Sequence, residues 1–299
     1  MRHIRQSPAD ILWNAINYTA LVVVSLVCLY PFIWVLSCSL SNPEEVLKGT
    51  VLLWPRRPEL ATYRVVASFE RLWIGYANTI YYTVLGTAIN VAMTLVVSYP
   101  LSRTWVRGRG AVSGLIIFTM LFSGGMIPTY LVIKMLGMVN TRWAMLIPGA
   151  ISAWNLILTR TYLTANVPDE LVEAAAMDGA NDLRTFWSVV LPLSGPIIAV
   201  ITLFYAVGHW NDLFTPLLYL NEPKMFPLTI VLRDITMGGL SRGGFTDSFA
   251  AFTSGKTRFL YSMNLKYAAI MVASLPIMCL YPFLQRYFIK GVMVGALKG

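Results

Sequence analysis

The sequence predicts an all-α integral membrane protein with six transmembrane helices, on three observations. Of its 299 residues 57% are hydrophobic and only 12% charged, about half the charged fraction of an ordinary soluble domain. Six stretches between consecutive charged residues are long enough to cross a bilayer: 11–43, 72–102, 110–133, 143–159, 185–211 and 267–285. A span needs about 20 mostly apolar residues, with about 17 as the lower limit. Between the fourth and fifth spans lies a polar, acidic stretch, Glu173 to Pro196, that reads as short helices outside the hydrocarbon.

The spans are expected at about 14–40, 77–101, 112–136, 143–163, 196–220 and 267–289, in one membrane domain covering residues 1–299. The first follows Arg2 and Arg5 but is too long for a signal h-region and shows no small-x-small cleavage site, so it is expected to be an uncleaved helix. The N-terminal dozen residues are expected to be partly loose. The third span is interrupted by Ser123-Gly124-Gly125-Met126-Ile127-Pro128, a composition that serves either a hinge or cavity wall, or close helix contact through small residues. The fourth window sits at the length limit, with Arg142 and Arg160 as snorkelling flanks. The segments 41–75 and 221–265 are expected to be extracytoplasmic loops, and 164–192 a cytoplasmic one. Arg103, Arg107 and Arg109, with Arg286, Lys290 and Lys298, argue that these segments and the N-terminus are cytoplasmic, but the expected outer loops hold many Lys and Arg too, so charge counting alone leaves the orientation open.

Within 164–192, Asn166 can cap a short helix, Pro168 sits where a helix start tolerates a missing N–H, and Asp169 and Glu170 favour the positive end of its dipole. Gly179 ends it in the left-handed conformation. A second helix starts at Asn181 or Asp182 and stops at Pro192, which also begins the next span. The outward face of the first helix, at Ala174, Ala175, Ala176 and Gly179, is almost without side chains. Such a helix lets another protein approach its backbone closely.

Composition also excludes. The net charge of +9 comes from Lys and Arg scattered over flanks and loops, with no basic cluster interleaved with aromatics, so a membrane anchor fits and nucleic acid does not. Cys28, Cys38 and Cys279 all fall in apolar windows and read as small hydrophobes, neither a disulfide framework nor a metal site. Gly255-Lys256-Thr257 looks like the end of a phosphate-binding loop, but position 250 is alanine and no strand–loop–helix unit surrounds it. No catalytic residue and no metal site are expected, and energy must come from a partner.

The stretch after Leu171 resembles the EAA coupling motif of ABC importer permeases at Glu173, Ala174, Ala175, Asp178, Gly179, Ala180, Phe186, Leu191, Pro192 and Pro196. The resemblance implies a type I ABC importer permease fold with cytoplasmic coupling helices between spans 4 and 5. In that family the loop enters a groove of a separate ATPase subunit, which binds ATP-Mg; this chain itself would hold no cofactor. Trp210-Asn211-Asp212 on the fifth span, after His209, is similar to a Trp-Asn-acidic triplet of carbohydrate permeases. Stacking ring and polar rim suit a sugar, so Asn155, His209, Trp210, Asn211 and Asp212 are candidates for the substrate path; the alternative is that the triplet caps and anchors the helix end. Gly291, Gly295, Lys298 and Gly299 match the glycine-rich ending of maltose-importer-type permeases, which reaches the ATPase subunits. The proline-to-tyrosine segment, Trp54-Pro55, Pro58 and Tyr63, is similar in a looser way.

The implied assembly contains a second related permease subunit, an ATPase dimer, an extracytoplasmic solute-binding protein and membrane lipid, in the cytoplasmic membrane of a bacterium. The expected function is import of a carbohydrate, with the extended 221–265 loop and the third-span break closer to permeases for fragments of complex polysaccharides. Rival readings are an ion-coupled secondary transporter, for which only Asp212 is a candidate intramembrane charge, an ABC permease for another solute, and a membrane enzyme acting on lipid-linked sugars, which would need clustered carboxylates, His or metal ligands at one face.

Overall fold

The computed structural model describes residues 7–236, 264–276, 278 and 279. All regular structure among them is helical. The described residues fall into two compact units, one holding 7–70 with 232–236 and 264–275, the other holding 71–231.

In the first unit, α1 (Pro8–Leu40) begins with a capping box: the Ser7 hydroxyl accepts from Ala9 N at 3.2 Å, and Asp10 Oδ2 accepts from Ser7 N at 3.0 Å. Helix therefore starts inside the dozen residues expected to be loose. Hydrophobic side chains of α1 stay exposed along most of its length, and only Ser37, Cys38 and Ser39 are buried. Its C-terminal end is braced by the segment that follows. Trp34 Nε1 donates to Val51 O at 3.1 Å, Ser37 Oγ to Leu53 O at 2.6 Å, and Ser39 and Tyr63 share a hydroxyl bond of 2.7 Å. Between these lie α2 (Pro43–Leu47) and α3 (Ala61–Ser68). A helix over 264–276 returns to α1: Asn264 Nδ2 donates to Ser41 O at 2.6 Å, and Tyr267 meets the Trp34 ring edge-on at 5.4 Å.

The second unit is built on α4 (Glu70–Ser102). Gly75, Thr79, Tyr82, Gly86, Asn90, Thr94, Ser98 and Ser102 recur along it at three- or four-residue spacing and are all buried. Such small and hydroxylic side chains let neighbouring helices come close in an apolar solvent. Gly86 shows the need: a Cβ there would stand 2.5 Å from the His209 ring.

The expected spans 112–136 and 143–163 are not single straight helices. α5 (Arg109–Leu121) and α6 (Met126–Met135) meet at 114° across residues 122–125, where Gly125 takes φ +88°. α7 (Trp143–Leu146) is followed by an irregular stretch, 147–152, before α8 (Ala153–Asn166). Non-helical backbone at membrane depth must find partners in protein. Here Asn90 Nδ2 donates to Gly149 O at 2.5 Å and the Tyr205 hydroxyl accepts from Ser152 N at 3.1 Å.

Beyond α8 come α9 (Asp169–Met177), α10 (Asp182–Thr185), a π-helical turn (Phe186–Val190) and α11 (Leu191–Leu193). α12 (Gly195–Asn211) leaves them at 82°. Pro192 does not stop the preceding helix; it sits just after the π turn, whose widened ladder tolerates the missing donor. The break falls instead at Ser194, which is fully buried and donates from Oγ to Val190 O at 2.6 Å. Within the fifth expected span, 196–220, the helix stops at Asn211 and resumes after a bend as α13 (Phe214–Tyr219); α14 (Leu228–Thr236) follows.

Among the described residues, α1 and α4 are each long and apolar enough to cross a membrane, and the bent pairs α5–α6 and 182–193 with α12 also pass that test. α8 alone, with 14 residues, is short for a span. The sixth expected span, 267–289, and the loop 221–265 lie partly outside the described residues, and Gly255-Lys256-Thr257 and the tail with Gly291, Gly295, Lys298 and Gly299 lie wholly outside them.

Candidate functional site

α9 ends in a Schellman motif. Ala180 N donates to Ala175 O at 2.9 Å, Gly179 N donates to Ala176 O at 3.0 Å, and Gly179 adopts φ +79°. The spacing of the Glu-Ala-Ala-Ala-Met-Asp-Gly-Ala run thereby has a local cause: the two alanine carbonyls and the two following amides close the turn that only glycine adopts without strain. Glu173, Ala174, Ala176, Asp178 and Gly179 are exposed and Ala175 and Ala180 half-exposed. Glu173 forms no ion pair or side-chain hydrogen bond with the described residues. Inward, α9 buries Val172.

The start of α9 differs from expectation. Asn166 does not cap it; its Nδ2 donates back to Tyr162 O at 3.0 Å, inside α8. Pro168 occupies the cap position without a side-chain bond. Asp169 does more than face the dipole, because its carboxylate accepts from Arg103 Nη1 and from Thr104 Oγ1, both at 2.9 Å. The following turn conforms: the Asn181 side chain accepts from Arg184 N at 2.8 Å and opens α10.

Phe186 and Leu191 play a different part from the alanines. Phe186 is buried with Leu95, Leu163, Val167, Val190, Ile197, Ile201 and Tyr205, and Leu191 packs against that cluster. The Tyr99 ring lies 5.5 Å from Phe186. These residues root the loop in the helices, while the Glu173–Ala180 turn stands clear. Beside the root is a groove of about 340 Å³ lined by Tyr99, Arg103, Trp105, Asp182 and Trp187 among others. A larger apolar groove of about 640 Å³ runs up α4 and α12, past Thr83, Thr87, Leu95, Trp187, Ile198 and Thr202.

The candidates for a substrate path are more scattered. Asn155 is buried in α8. His209 Nε2 is 3.0 Å from Asn90 Oδ1, over the bare face of Gly86. Asn211 Nδ2 donates to Val207 O at 3.0 Å, Trp210 is half-exposed, and Asp212 Oδ1 accepts from Thr215 N at 3.1 Å, so from one position ahead of the Leu213 N-cap its carboxylate closes the first turn of α13. Asp212 O also accepts from Thr229 Oγ1 at 2.7 Å. Asn211 and Asp212 thus engage their side chains in local bonds at the α12–α13 bend. Among the described residues no group of three or more His, Cys, Asp or Glu side chains could hold a metal.

Sequence reading passed over Asn90, Thr94, Tyr205 and Arg103. The Thr94 and Tyr205 hydroxyls share a bond of 2.7 Å, and with Asn90 they form a polar belt that holds the irregular 147–152 backbone. A signal was present in the four-residue spacing of Asn90, Thr94, Ser98 and Ser102 within an apolar window. Arg103 entered the reading only as a cytoplasmic charge, yet it is 1% exposed.

Residues 100–294 match the family described as binding-protein-dependent transport system inner membrane component. This chain belongs to that family. The family's members are transport permeases of the inner membrane, and the exposed α9 turn and the Phe186 root both lie in the matched region. Over 288 residues, 96% of this chain and 99% of the relative, it is 39% identical to the polygalacturonan/rhamnogalacturonan transport system permease protein YtcP of Bacillus subtilis (strain 168). It is 38% identical to Protein LplC of the same organism over 299 residues, 99% of this chain and 98% of the relative. Its fold matches a chain from the crystal structure of a bacterial ABC transporter involved in the import of the acidic polysaccharide alginate, with a TM-score of 0.86 at 33% identity, covering 95% of this chain and 99% of that one. The fold is thus that of an ABC importer permease.

Proposed function

We propose that this chain is the permease subunit of a bacterial ABC importer that carries an oligosaccharide, derived from a complex and acidic polysaccharide, across the cytoplasmic membrane. The observation that carries the reading is the α9 turn: a Schellman-closed helix end with Glu173, Ala174, Ala176 and Gly179 exposed, rooted by a buried Phe186. Exposed backbone on a rigid stem suits docking into a groove of an ATPase subunit. The 39% identity to a polygalacturonan/rhamnogalacturonan permease supports the substrate class.

In this reading six spans cross the membrane with both termini in the cytoplasm, a second related permease completes the path, and a solute-binding protein delivers the sugar outside. The apolar groove along α4 and α12 supports a helical partner in the membrane. ATP-Mg binds and is hydrolysed in a partner ATPase dimer, so this subunit is non-catalytic. Closure of that dimer drags α9 as a rigid element, and the attached helices reorient to open the path outward. The tail residues Gly295, Lys298 and Gly299 add a second ATPase contact. Asn155, His209, Trp210, Asn211 and Asp212 remain candidates for the path, with Asp212 also acting as a cap.

The test is site-directed crosslinking from Ala175→Cys or Ala176→Cys in the assembled transporter, together with uptake of a labelled galacturonan digest. Crosslinks to the ATPase and ATP-dependent uptake are expected. Crosslinks confined to lipid headgroups or to the binding protein would refute the coupling role, and uptake that survives ATP depletion but collapses with an uncoupler would favour an ion-driven carrier.

A further inference from the structure

Where α4 and α8 end side by side, each satisfies the open backbone of the other. The last carbonyls of a helix lack partners within it. Here those of α4 are met from α8: Arg160 Nε donates to Leu101 O at 3.0 Å and Thr164 Oγ1 to Ser102 O at 3.3 Å. At the end of α8 the open Val167 carbonyl is met from the residue after α4: Arg103 Nη1 donates to it at 2.9 Å, and Nη2 lies 3.5 Å from Leu163 O, which already accepts from Val167 N. The same Arg103 Nη1 reaches Asp169 Oδ1 at 2.9 Å, on the first residue of α9, and Thr104 Oγ1 takes the other carboxylate oxygen at 2.9 Å. Arg103 is itself pinned by Ser102 Oγ on Nε at 3.1 Å and lies 5.4 Å from the Tyr99 ring centroid.

From this geometry we infer that Arg103 and Asp169 are positioning residues for force transfer: they weld the base of α4 and the end of α8 to α9, so that a pull on α9 moves all three as one body. Phe186 roots the loop by apolar packing, against Leu163 and Val167 at the end of α8 as well as against α12, and α9 itself buries Val172. The Arg103–Asp169 link adds the directed polar tie between the first residue of α9 and the ends of α4 and α8. Arginine suits the task because its planar fork serves several acceptors at once, where a lysine offers one point charge. The bond is charge-assisted at 2.9 Å, with Arg103 buried and the Asp169 side chain 32% exposed, so it is less screened than a pair in open solvent. The inference rests on the coupling reading given above.

The test uses the complete transporter in lipid nanodiscs, with Cys28, Cys38 and Cys279 replaced by alanine and spin labels placed at Met93→Cys on α4 and Leu171→Cys on α9. With Asp169 intact, the distance between labels is expected to be the same in the nucleotide-free and ADP–vanadate-trapped states. Asp169→Asn is expected to keep that distance without nucleotide and to shift it by about 2 Å or more on trapping, the scale of helix displacements in switching transitions; Asp169→Glu should restore a constant distance. Three results would overturn the inference: a nucleotide-dependent distance with Asp169 intact, no shift in Asp169→Asn, or a shift in Asp169→Asn already present without nucleotide, which would mark loop stability alone. The Ala175→Cys crosslink to the ATPase is read in parallel. If it is present while Asp169→Asn stays rigid, only the brace is wrong; if it is absent with Asp169 intact, the coupling reading itself falls.

Discussion

The turn at 173–180 and the bend at 209–212 both resemble functional motifs, but they spend their polar groups in opposite ways. At the first, backbone bonds alone close the structure, from Ala180 N to Ala175 O and from Gly179 N to Ala176 O, and the side chains of Glu173 and Asp178 are left facing out. At the second, side chains do the closing: Asp212 caps α13, Asn211 returns to Val207 O, and His209 sits against Asn90. A motif whose side chains are unspent is open to a partner. One whose side chains are already engaged has a structural role whatever else it does, and a ligand must compete with existing bonds.

The largest effect expected from this contrast is at Gly179. No described atom lies within 4 Å of a Cβ there, so a substituent meets no clash, only an unfavourable φ of +79° and a blocked docking face. Gly179→Trp should abolish uptake while leaving membrane insertion unchanged, measured by labelled-sugar transport beside immunodetection in membranes. Normal uptake would erase the distinction between the two regions.

Next is Gly86→Ala. The new methyl would meet the His209 ring, and overpacking of a fitted contact costs about 1–3 kcal/mol. A lowered melting temperature of the purified complex is expected, with partial recovery in Gly86→Ala/His209→Ala. An unchanged melting temperature would mean that His209 is free to turn away.

Asp212 sharpens the comparison more finely. Losing a helix cap costs about 1 kcal/mol, and serine replaces aspartate well in that role. Asp212→Ser should therefore keep near-normal uptake, while Asp212→Ala loses stability. If both variants lose uptake equally at normal stability, Asp212 contacts the sugar as well as capping α13.

The smallest effect belongs to Asn166→Ala. Since its side chain bonds within α8 and does not cap α9, a change of less than about 0.5 kcal/mol in stability is expected, with unaltered uptake. A loss of about 1 kcal/mol or more by thermal or denaturant unfolding would restore the cap assignment.

Much of the α9–α10 region was legible because it is local. The α9 stop, the Asn181 cap and the side-chain-free face all depend on residues within about one helical turn of one another. Other features were not. Pro192 reads as a stop in any one-dimensional pattern, yet the π turn before it lets the helix run on to a buried Ser194. Phe186 and Glu173 belong to one motif by spacing, but the first is in the core and the second outside it. The window 143–163 looks like a plain span because its apolarity conceals a non-helical stretch, held by Asn90 and Tyr205 from α4 and α12.

By itself the sequence determined the solvent, the helical architecture and the glycine-closed turn of α9, since hydropathy and short-range backbone chemistry act over neighbouring residues. Only the tertiary structure decided what Arg103 is. Counted along the chain it is one more flanking cation; folded, it answers the carbonyls of Leu163 and Val167 and the carboxylate of Asp169, sixty or more positions away in sequence. Hydrogen-bond partners are set by which helix ends meet, and no local pattern carries that information.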